Sequence, residues 1–282
     1  MDMSLSVTFA VLGAALLHAC WNALLKGSPD KDLDSSSIAA GAGLLALCLA
    51  PWFPVPDAAS LPWMGASMLV HIGYYRSLAA AYHWGEMSFA YPVMRGGGPV
   101  LVALAGVVLL GERLPPAEAA GAALVTGGIL GLALGARPSS PDALRRSLAA
   151  ALLNAAIIAT YTLIDARGVR ASGAPVAYAL WFFVASGLVV FGAAWRRRGA
   201  ELGRYAARHA PRVLLGGACS LVSYGVALWA MTRAPVALVA ALRETSVVFA
   251  ALIGAAFLGE RLGVTRLLAT AVVVAGLLVL RL

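Results

Sequence analysis

Residues Arg95–Leu114 read RGGGPVLVALAGVVLLGERL, and residues Arg243–Leu262 read RETSVVFAALIGAAFLGERL. The two stretches align without a gap, start 148 residues apart and are identical at ten of twenty positions. Shared apolar composition alone would not produce this agreement, so the chain is interpreted as a duplication. Each copy starts at an arginine, continues as an apolar helix and ends in Gly-Glu-Arg-Leu. The duplication therefore places an ionisable side chain at equivalent depths of both halves.

The composition is that of a membrane protein. Of the 282 residues, 61% are hydrophobic and 12% are charged, which leaves too little polar surface to cover a water-soluble protein of this size. A helix needs about 20 apolar residues to cross the hydrocarbon core. We predict an all-α integral membrane protein whose ten transmembrane helices lie at 5–25, 35–54, 61–83, 87–110, 115–135, 147–165, 175–195, 212–232, 235–258 and 264–281.

The interval between the two copies predicts the relative orientation of the halves. Equivalent positions are separated by five predicted helices, and an odd number of crossings makes equivalent segments run in opposite directions. We therefore predict two inverted five-helix repeats, at residues 1–138 and 147–282. Inverted repeats place a binding site near the bilayer midplane between the halves, and they permit alternating access. This arrangement favours a transporter.

The sequence patterns of a secretory signal, a cysteine metal site and a phosphate-binding loop are not found. The N-terminal 25 residues begin with Asp2 instead of a basic region and are interpreted as the first membrane helix, not as a secretory signal. Cys20, Cys48 and Cys219 lie within predicted spans at spacings unlike a metal motif, so they are interpreted as packing residues. The Gly-x-x-x-x-Gly-Lys sequence of a phosphate-binding loop does not occur, so neither ATP nor another cofactor is implied.

The two repeated arginines are the main candidates for function. Arg95 lies about two turns into the predicted fourth helix, where a lipid-facing guanidinium would cost at least roughly 2.5 kcal/mol. It must therefore face protein, water or substrate. Arg243 is its equivalent and is followed by Glu244. The alternative is a structural ion pair that holds helices together, such as Arg243 with Glu244 or Arg95 with Glu86.

Further polar side chains recur at helical spacing on three predicted helices. Such a side chain in a bundle more often makes an interhelical hydrogen bond than it binds a ligand. One of them, Arg76, aligns with Tyr224 in the second half and has no basic equivalent. The set consists of His18, Trp21, Asn22 and Lys26 on the first helix, His71, Tyr75, Arg76 and Tyr82 on the third, and Asn154, Tyr161 and Asp165 on the sixth.

The loop charges predict an orientation. The net charge is +8, and the Lys and Arg residues in the loops and at the helix ends number five on the side of both termini and thirteen on the other. The positive-inside rule then predicts that the termini lie outside the cytoplasm. The basic loop at 196–212 would lie inside, next to anionic lipid head groups; no nucleic-acid partner is expected.

Ten helices, a duplicated five-helix unit and Gly-Glu-Arg-Leu at the end of each fourth helix resemble the EamA family of the drug/metabolite transporter (DMT) superfamily. The resemblance covers the whole chain and implies an inner-membrane permease without enzymatic activity. Many such permeases export amino acids and other small metabolites through a cavity formed chiefly by helices 1, 3, 4, 6, 8 and 9. Related sugar-phosphate translocators hold phosphate with basic residues, which is similar in kind to Arg95 and Arg243. The family usually has cytoplasmic termini, opposite to the orientation that the loop charges predict.

We therefore predict a multi-pass permease of the inner (plasma) membrane, acting as an exporter of a small anionic or zwitterionic metabolite. Amino acids, organic acids and phosphate or phosphonate compounds belong to this class. Arg95 and Arg243 would bind the anionic group through charge-assisted hydrogen bonds. The rest of the predicted substrate site consists of Trp21, Asn22, Tyr75, Tyr91, His18 and Tyr161. The candidates for proton coupling are His71, Glu244 and Asp165.

The alternative prediction is a proton-coupled exporter of cationic compounds, which would resemble the small multidrug resistance proteins. Glu244 or Asp165 would then be the exchanging carboxylate, although three intramembrane arginines would repel a cation. An enzyme is not expected, because His18, His71 and Asp165 are too scattered for a catalytic constellation. The predicted partners are a small-molecule substrate and the lipid bilayer, with the chain acting as a monomer or a homodimer.

Overall fold

The computed structural model describes residues 3–26, 28–84, 87–111, 115–131, 140–257 and 263–279. All regular elements in these ranges are helical, and short 3₁₀ turns at Ala50–Trp52 and Ala58–Ser60 connect two of the helices. The α-helices are α1 (Leu5–Lys26), α2 (Lys31–Leu49), α3 (Leu61–Trp84), α4 (Met87–Leu110), α5 (Pro116–Gly131), α6 (Pro141–Ala171), α7 (Pro175–Arg198), α8 (Ala200–Arg208), α9 (Ala210–Ala230), α10 (Val236–Arg243), α11 (Ser246–Phe257) and α12 (Val264–Val279).

Six segments of the described residues are long and apolar enough to cross a membrane, which agrees with the predicted all-α membrane class. Two shorter apolar helices lie at Ala119–Gly131 and Leu267–Gly276. The third predicted helix is not among these six segments, because several polar side chains lower the mean hydropathy of α3. The six segments are Leu5–Leu25, Lys31–Trp52, Pro92–Leu109, Pro141–Ala171, Pro175–Arg198 and Ala210–Ala230.

The predicted continuous helix at 235–258 is wrong. In the structure α10 ends at Arg243 and α11 begins at Ser246, with a turn at Glu244 and Thr245. The Thr245 hydroxyl donates to the Leu242 carbonyl at 2.7 Å, and the Thr245 N–H bonds to the same carbonyl at 3.1 Å. Hydroxyl side chains compete in this way with the regular helical bonds. An irregular backbone at membrane depth is tolerated where it lines a cavity.

Two other helices differ from the sequence prediction. α6 has 31 residues, against a predicted span of 147–165, because Ser140 caps its N-terminus by accepting from the Ala143 N–H and Pro141 occupies the first turn. α8 is a separate nine-residue helix inside the predicted 196–212 loop. Its Leu202 is buried while Arg204 and Arg208 are exposed.

The basic end of α7 is tied to α2 by ion pairs. Arg197 contacts Asp32 at 3.0 Å, and Arg198 contacts Asp30 at 2.7 Å and Glu201 at 3.0 Å. The Leu33 N–H and the Arg198 guanidinium hold the pKa of Asp30 below its ordinary value. A hydrogen bond from Arg198 likewise lowers the pKa of Glu201. These arginines are therefore paired with carboxylates and not only solvated.

A buried ion pair lies one turn further along α2. The Asp34 carboxylate is fully buried and lies 3.0 Å from an Nη atom of Arg212 at the start of α9. Arg212 also donates to the Leu24 carbonyl of α1. The Tyr205 hydroxyl on α8 donates to the other oxygen of Asp34 at 3.4 Å. The arginine therefore links the start of α9 to α1 and α2.

Helices from residues 1–138 pack mainly on helices from residues 147–282. α3 and α4 pack on α6, whereas α1 packs on α9, α10 and α11; α2 packs on α7, and α5 on α12. The two halves are therefore interleaved through a shared interface. A large part of the buried apolar core consists of residues of α6, α7, α9 and α10.

The contact between α5 and α12 is reciprocal. A Cβ on Gly276 would lie 2.8 Å from the Gly121 carbonyl oxygen, and a Cβ on Gly128 would lie 2.9 Å from the Ala269 carbonyl oxygen. Gly128 and Gly276 are 148 positions apart, as are Gly121 and Ala269. Because residue numbers rise on α5 where they fall on α12, the two helices run antiparallel. Small residues are required for this close approach.

Candidate functional site

Arg95 and Arg243 line the same cavity between α4, α6 and α10. Its volume is about 10 Å³, enough for about one water molecule. Gly97 and Gly98 position Arg95 beside α6, because a Cβ at either position would lie 3.0–3.1 Å from a side chain of that helix. The lining residues are Arg95, Gly98, Pro99, Val102, Ile158, Tyr161, Thr162, Ala240, Arg243 and Glu244.

The two halves are joined at this cavity by an ion pair. The Nε of Arg95 lies 2.7 Å from Oε2 of Glu244, and the side chains are 10% and 7% exposed. Glu244 follows the end of α10, so the break in the helix places this carboxylate opposite α4. The structural pairs considered from the sequence were Arg243 with Glu244 and Arg95 with Glu86. The structure instead pairs Arg95 with Glu244, and the side chain of Glu86 lies outside the described residues.

Arg243 stands over an aromatic ring. Its guanidinium carbon lies 5.1 Å from the centre of the Tyr224 ring, within the range of a cation–π interaction. The Tyr224 hydroxyl donates to Oδ2 of Asp165, and the Tyr178 hydroxyl donates to Oδ1 at 3.4 Å. Asp165 is fully buried. Asp165 is therefore bound by tyrosine hydroxyls, one of which also supports Arg243.

His18 lies close enough to interact electrostatically with both arginines. The Trp21 indole N–H donates to its Nδ1 at 3.3 Å, which places the proton of a neutral ring on Nε2. The Asn22 amide donates to the backbone carbonyl of His18 at 2.7 Å. Trp21 and Asn22, predicted to bind substrate, thus contact His18 in this conformation and are not among the lining residues.

The other polar residues of α3 and α6 form two local arrangements. Nδ1 of His71 contacts the Ser67 carbonyl at 2.8 Å, and the His71 ring lies 4.2 Å from the Tyr161 ring, which lines the cavity. Asn154 is fully buried and donates to the Tyr74 carbonyl and the Ser77 hydroxyl at 3.0 and 2.8 Å. His71 thus supports the cavity wall, whereas Asn154 joins α6 to α3.

Several sequence predictions fall where the structure gives no description. The side chains of Tyr75 and Tyr91 belong to this group, as do most residues of both Gly-Glu-Arg-Leu motifs. Gly111, the first residue of the earlier motif, has a φ of +64° directly after α4. Glycine adopts this conformation readily and commonly ends helices.

The sequence of the second half matches the EamA-like transporter family over residues 145–282. That family is part of the DMT superfamily. The family consists of membrane permeases and not of enzymes. No curated protein matches the chain. A solved crystal structure superposes with a TM-score of 0.75 at 22% sequence identity, covering 100% of this chain and 99% of that chain. The fold is therefore shared over the full length.

Six of the ten lining residues lie within the matched residues 145–282, and the other four, Arg95, Gly98, Pro99 and Val102, come from the first half. Arg95, Arg243, Glu244 and Tyr161, all predicted from the sequence, line one cavity. Tyr224 was not selected from the sequence as a site residue, although its alignment with the polar Arg76 in the repeat was a usable signal. Tyr178 and Thr162 had no comparable signal, because isolated polar residues are common in membrane helices.

Proposed function

We propose that this protein is a secondary transporter that exports a small anionic or zwitterionic metabolite across the inner (plasma) membrane by alternating access. The observation that carries the proposal is the pair of arginines, one from each half, at a single buried cavity. An ionised group at membrane depth is energetically expensive, so such residues are rare and usually pair with another group or mark a substrate pathway. Amino acids, organic acids and phosphate or phosphonate compounds all carry a group that a guanidinium binds well.

The charges at the cavity support an anion. Arg95 and Arg243 each contribute one positive charge and Glu244 one negative charge, so these three side chains sum to one positive charge. A cationic ligand would be repelled by this balance, whereas an anion would neutralise it. The ammonium group of a zwitterion would have Asp165 as an acceptor, one turn beyond Tyr161 on α6.

The packing of α5 and α12 supports two inverted repeats of five transmembrane helices each, with domains at residues 1–138 and 147–282. Contacts between Gly128 and Ala269 and between Gly276 and Gly121 exchange under a shift of 148 residues, as they would about a two-fold axis. The two equivalent helices run antiparallel, which is the relation that inversion requires.

The closed cavity supports alternating access. A space of about 10 Å³ holds about one water molecule and excludes an amino acid or an organic phosphate. Substrate binding therefore requires the halves to separate on one side. The interleaved packing gives one half a surface on which to rock against the other.

The test is ligand-dependent thermal stabilisation of the protein in detergent. The panel contains L-amino acids, organic acids, phosphates, phosphonates and quaternary amines, because a ligand raises stability only if it binds the folded state. We expect stabilisation by one anionic or zwitterionic class, and we expect Arg95→Gln and Arg243→Gln to abolish it. Arg208→Gln removes an exposed arginine of α8 and is the matched control. Anion-induced shifts that persist in both cavity variants would refute the proposal.

The cationic-compound exporter remains the second candidate because Glu244 is a buried carboxylate at the same cavity. The same panel separates the two functions. Stabilisation by quaternary amines that survives Arg95→Gln and disappears in Glu244→Gln would establish the cation exporter and leave the arginines as structural partners.

A further inference from the structure

Glu244 engages one donor of Arg95, its Nε, with a carboxylate of the protein itself. The 2.7 Å separation between Oε2 and Nε is that of a charge-assisted contact. A carboxylate of the protein is chemically the same ligand for a guanidinium as a substrate carboxylate, and a close analogue of a phosphonate oxygen. At the site of the proposed function, an internal anion therefore already contacts Arg95.

A substrate anion has no room beside this ion pair. The cavity volume of about 10 Å³ accommodates about one water molecule, and a metabolite that carries a carboxylate or phosphonate group is larger than one water. Because Arg95 and Glu244 belong to different halves, opening the cavity for a substrate must also separate this pair. Substrate binding to Arg95 therefore requires the carboxylate to leave.

A displaced Glu244 carboxylate cannot remain charged and unpaired at low cost, because an isolated buried charge is far more expensive than a paired one. The displaced carboxylate can be neutralised in two ways, by taking up a proton or by pairing with another cation. Arg243 is the nearest cation in sequence, but its guanidinium is placed over the Tyr224 ring, and the proposed function uses it for substrate. α11 brings no titratable side chain. Among the described residues, the titratable and charged groups that interact with Glu244 or with its two arginine neighbours include Arg95 on α4, Arg243 on α10, Tyr161 on α6 and His18 on α1. Asp165 on α6 and Tyr224 on α9 interact in turn with Tyr161, and Tyr224 also with Arg243.

We infer that Glu244 is an internal counter-anion that the substrate displaces from Arg95, and that Glu244 takes up one proton as it leaves, so that a proton and a substrate anion travel together. The inference rests on the proposed function. In the empty state Arg95, Arg243 and ionised Glu244 sum to one positive charge. With a monovalent anion bound and Glu244 protonated, the sum is the same. The loaded and empty states then carry equal charge, so both can change orientation in the membrane at similar electrostatic cost.

The experiment measures anion binding and proton uptake together, on the purified full chain in detergent. Isothermal titration is performed at pH 5.5, 7 and 8.5 with the anions of the panel and with methanesulfonate, an anion that does not itself titrate in this range. Two buffers of different ionisation enthalpy report the number of protons taken up per anion. For the wild-type protein we expect about one proton per anion and, above the pKa of Glu244, an affinity that falls up to about tenfold per pH unit.

Glu244→Gln tests the assignment. The amide cannot titrate or form the ion pair, so we expect affinity independent of pH, close to the wild-type value at pH 5.5, with no proton uptake. Glu201→Gln is the matched control, since Glu201 is an exposed carboxylate on α8 and this variant should keep the wild-type pH dependence. If Glu244→Gln does not fold, the number of protons that the wild-type protein takes up per anion still tests the inference, since about one proton supports it and none overturns it.

The outcomes separate the two claims. Wild-type binding that is lost in Arg95→Gln but is independent of pH and takes up no proton overturns the inference and leaves the proposed function standing. If the pH dependence of anion affinity persists unchanged in Glu244→Gln, the inference is also overturned, because a group other than Glu244 then takes up the proton. Absence of binding by any anion, in the wild-type protein at pH 5.5 and in Glu244→Gln at every pH, overturns both.

Discussion

The ion pair between Arg95 and Glu244 should couple the two halves strongly, and a double-mutant cycle measures this coupling. The two atoms lie 2.7 Å apart and both side chains are at most 10% exposed. Two unit charges about 4 Å apart attract by about 4 kcal/mol at an effective dielectric constant of about 20. Removing one partner of a buried pair costs about 3–5 kcal/mol, because the remaining charge stays desolvated. Arg95→Met should therefore destabilise the protein by about 3 kcal/mol at pH 8.

Removing both partners should cost much less than the sum of the single changes. Apolar side chains of similar volume often replace a buried pair at little net cost. We expect Arg95→Met with Glu244→Met to be within about 1 kcal/mol of the wild-type protein, which gives a coupling energy of at least about 2 kcal/mol. Unfolding by sodium dodecyl sulfate titration in mixed micelles provides the four free energies. Additive single changes, with a coupling below about 0.5 kcal/mol, would refute the reasoning that this contact is a desolvated ion pair.

Three further predictions concern the network, the helix packing and the acid response. Tyr224→Phe removes the hydroxyl that donates to the buried aspartate of α6 and should cost about 1–3 kcal/mol in the same unfolding assay; an unchanged stability would contradict this bond. Gly187→Ala places a Cβ 2.9 Å from a backbone atom of α2 and should cost about 1–3 kcal/mol, whereas Gly192→Ala, with no atom within 4 Å, should be neutral or mildly stabilising. Equal effects would refute close packing there. The folded-state pKa of Asp30 is lowered. The stability that Asp30 contributes is therefore complete above its unfolded pKa and is lost as the pH falls through the folded pKa. Arg198→Gln should reduce the loss of stability between pH 5 and 3, and an acid profile identical to that of the wild-type protein would contradict the pairing.

The membrane class and the positions of most helices could be predicted because hydropathy is a local property. A run of about 20 apolar residues has a helical solution in lipid wherever it lies in the chain. The arginines could also be selected without a structure, since each is an isolated charge in such a run. The helix break at Glu244 could not, because the apolar pattern continues through it on both sides and the competing hydroxyl of Thr245 resembles any other threonine.

The candidate site was predictable in part. Arg95 and Arg243 were paired by the repeat, and Tyr161 was selected by its helical spacing; all three line one cavity. Trp21 and Asn22 share a helix face with His18, and spacing alone does not distinguish a residue that faces substrate from one that holds its neighbour. The structure shows the second arrangement.

The sequence by itself determined the all-α membrane class, the duplication and the charged residues of the cavity, because composition and repeat spacing are readable along one chain. The tertiary structure decided which charges meet. Glu244 pairs with Arg95 of the other half and not with its own sequence neighbour Arg243, and Tyr224 supports Arg243 while binding Asp165. These partners lie on helices distant in sequence. Their contact depends on how each helix is rotated and where α10 ends, which are properties of the packed bundle.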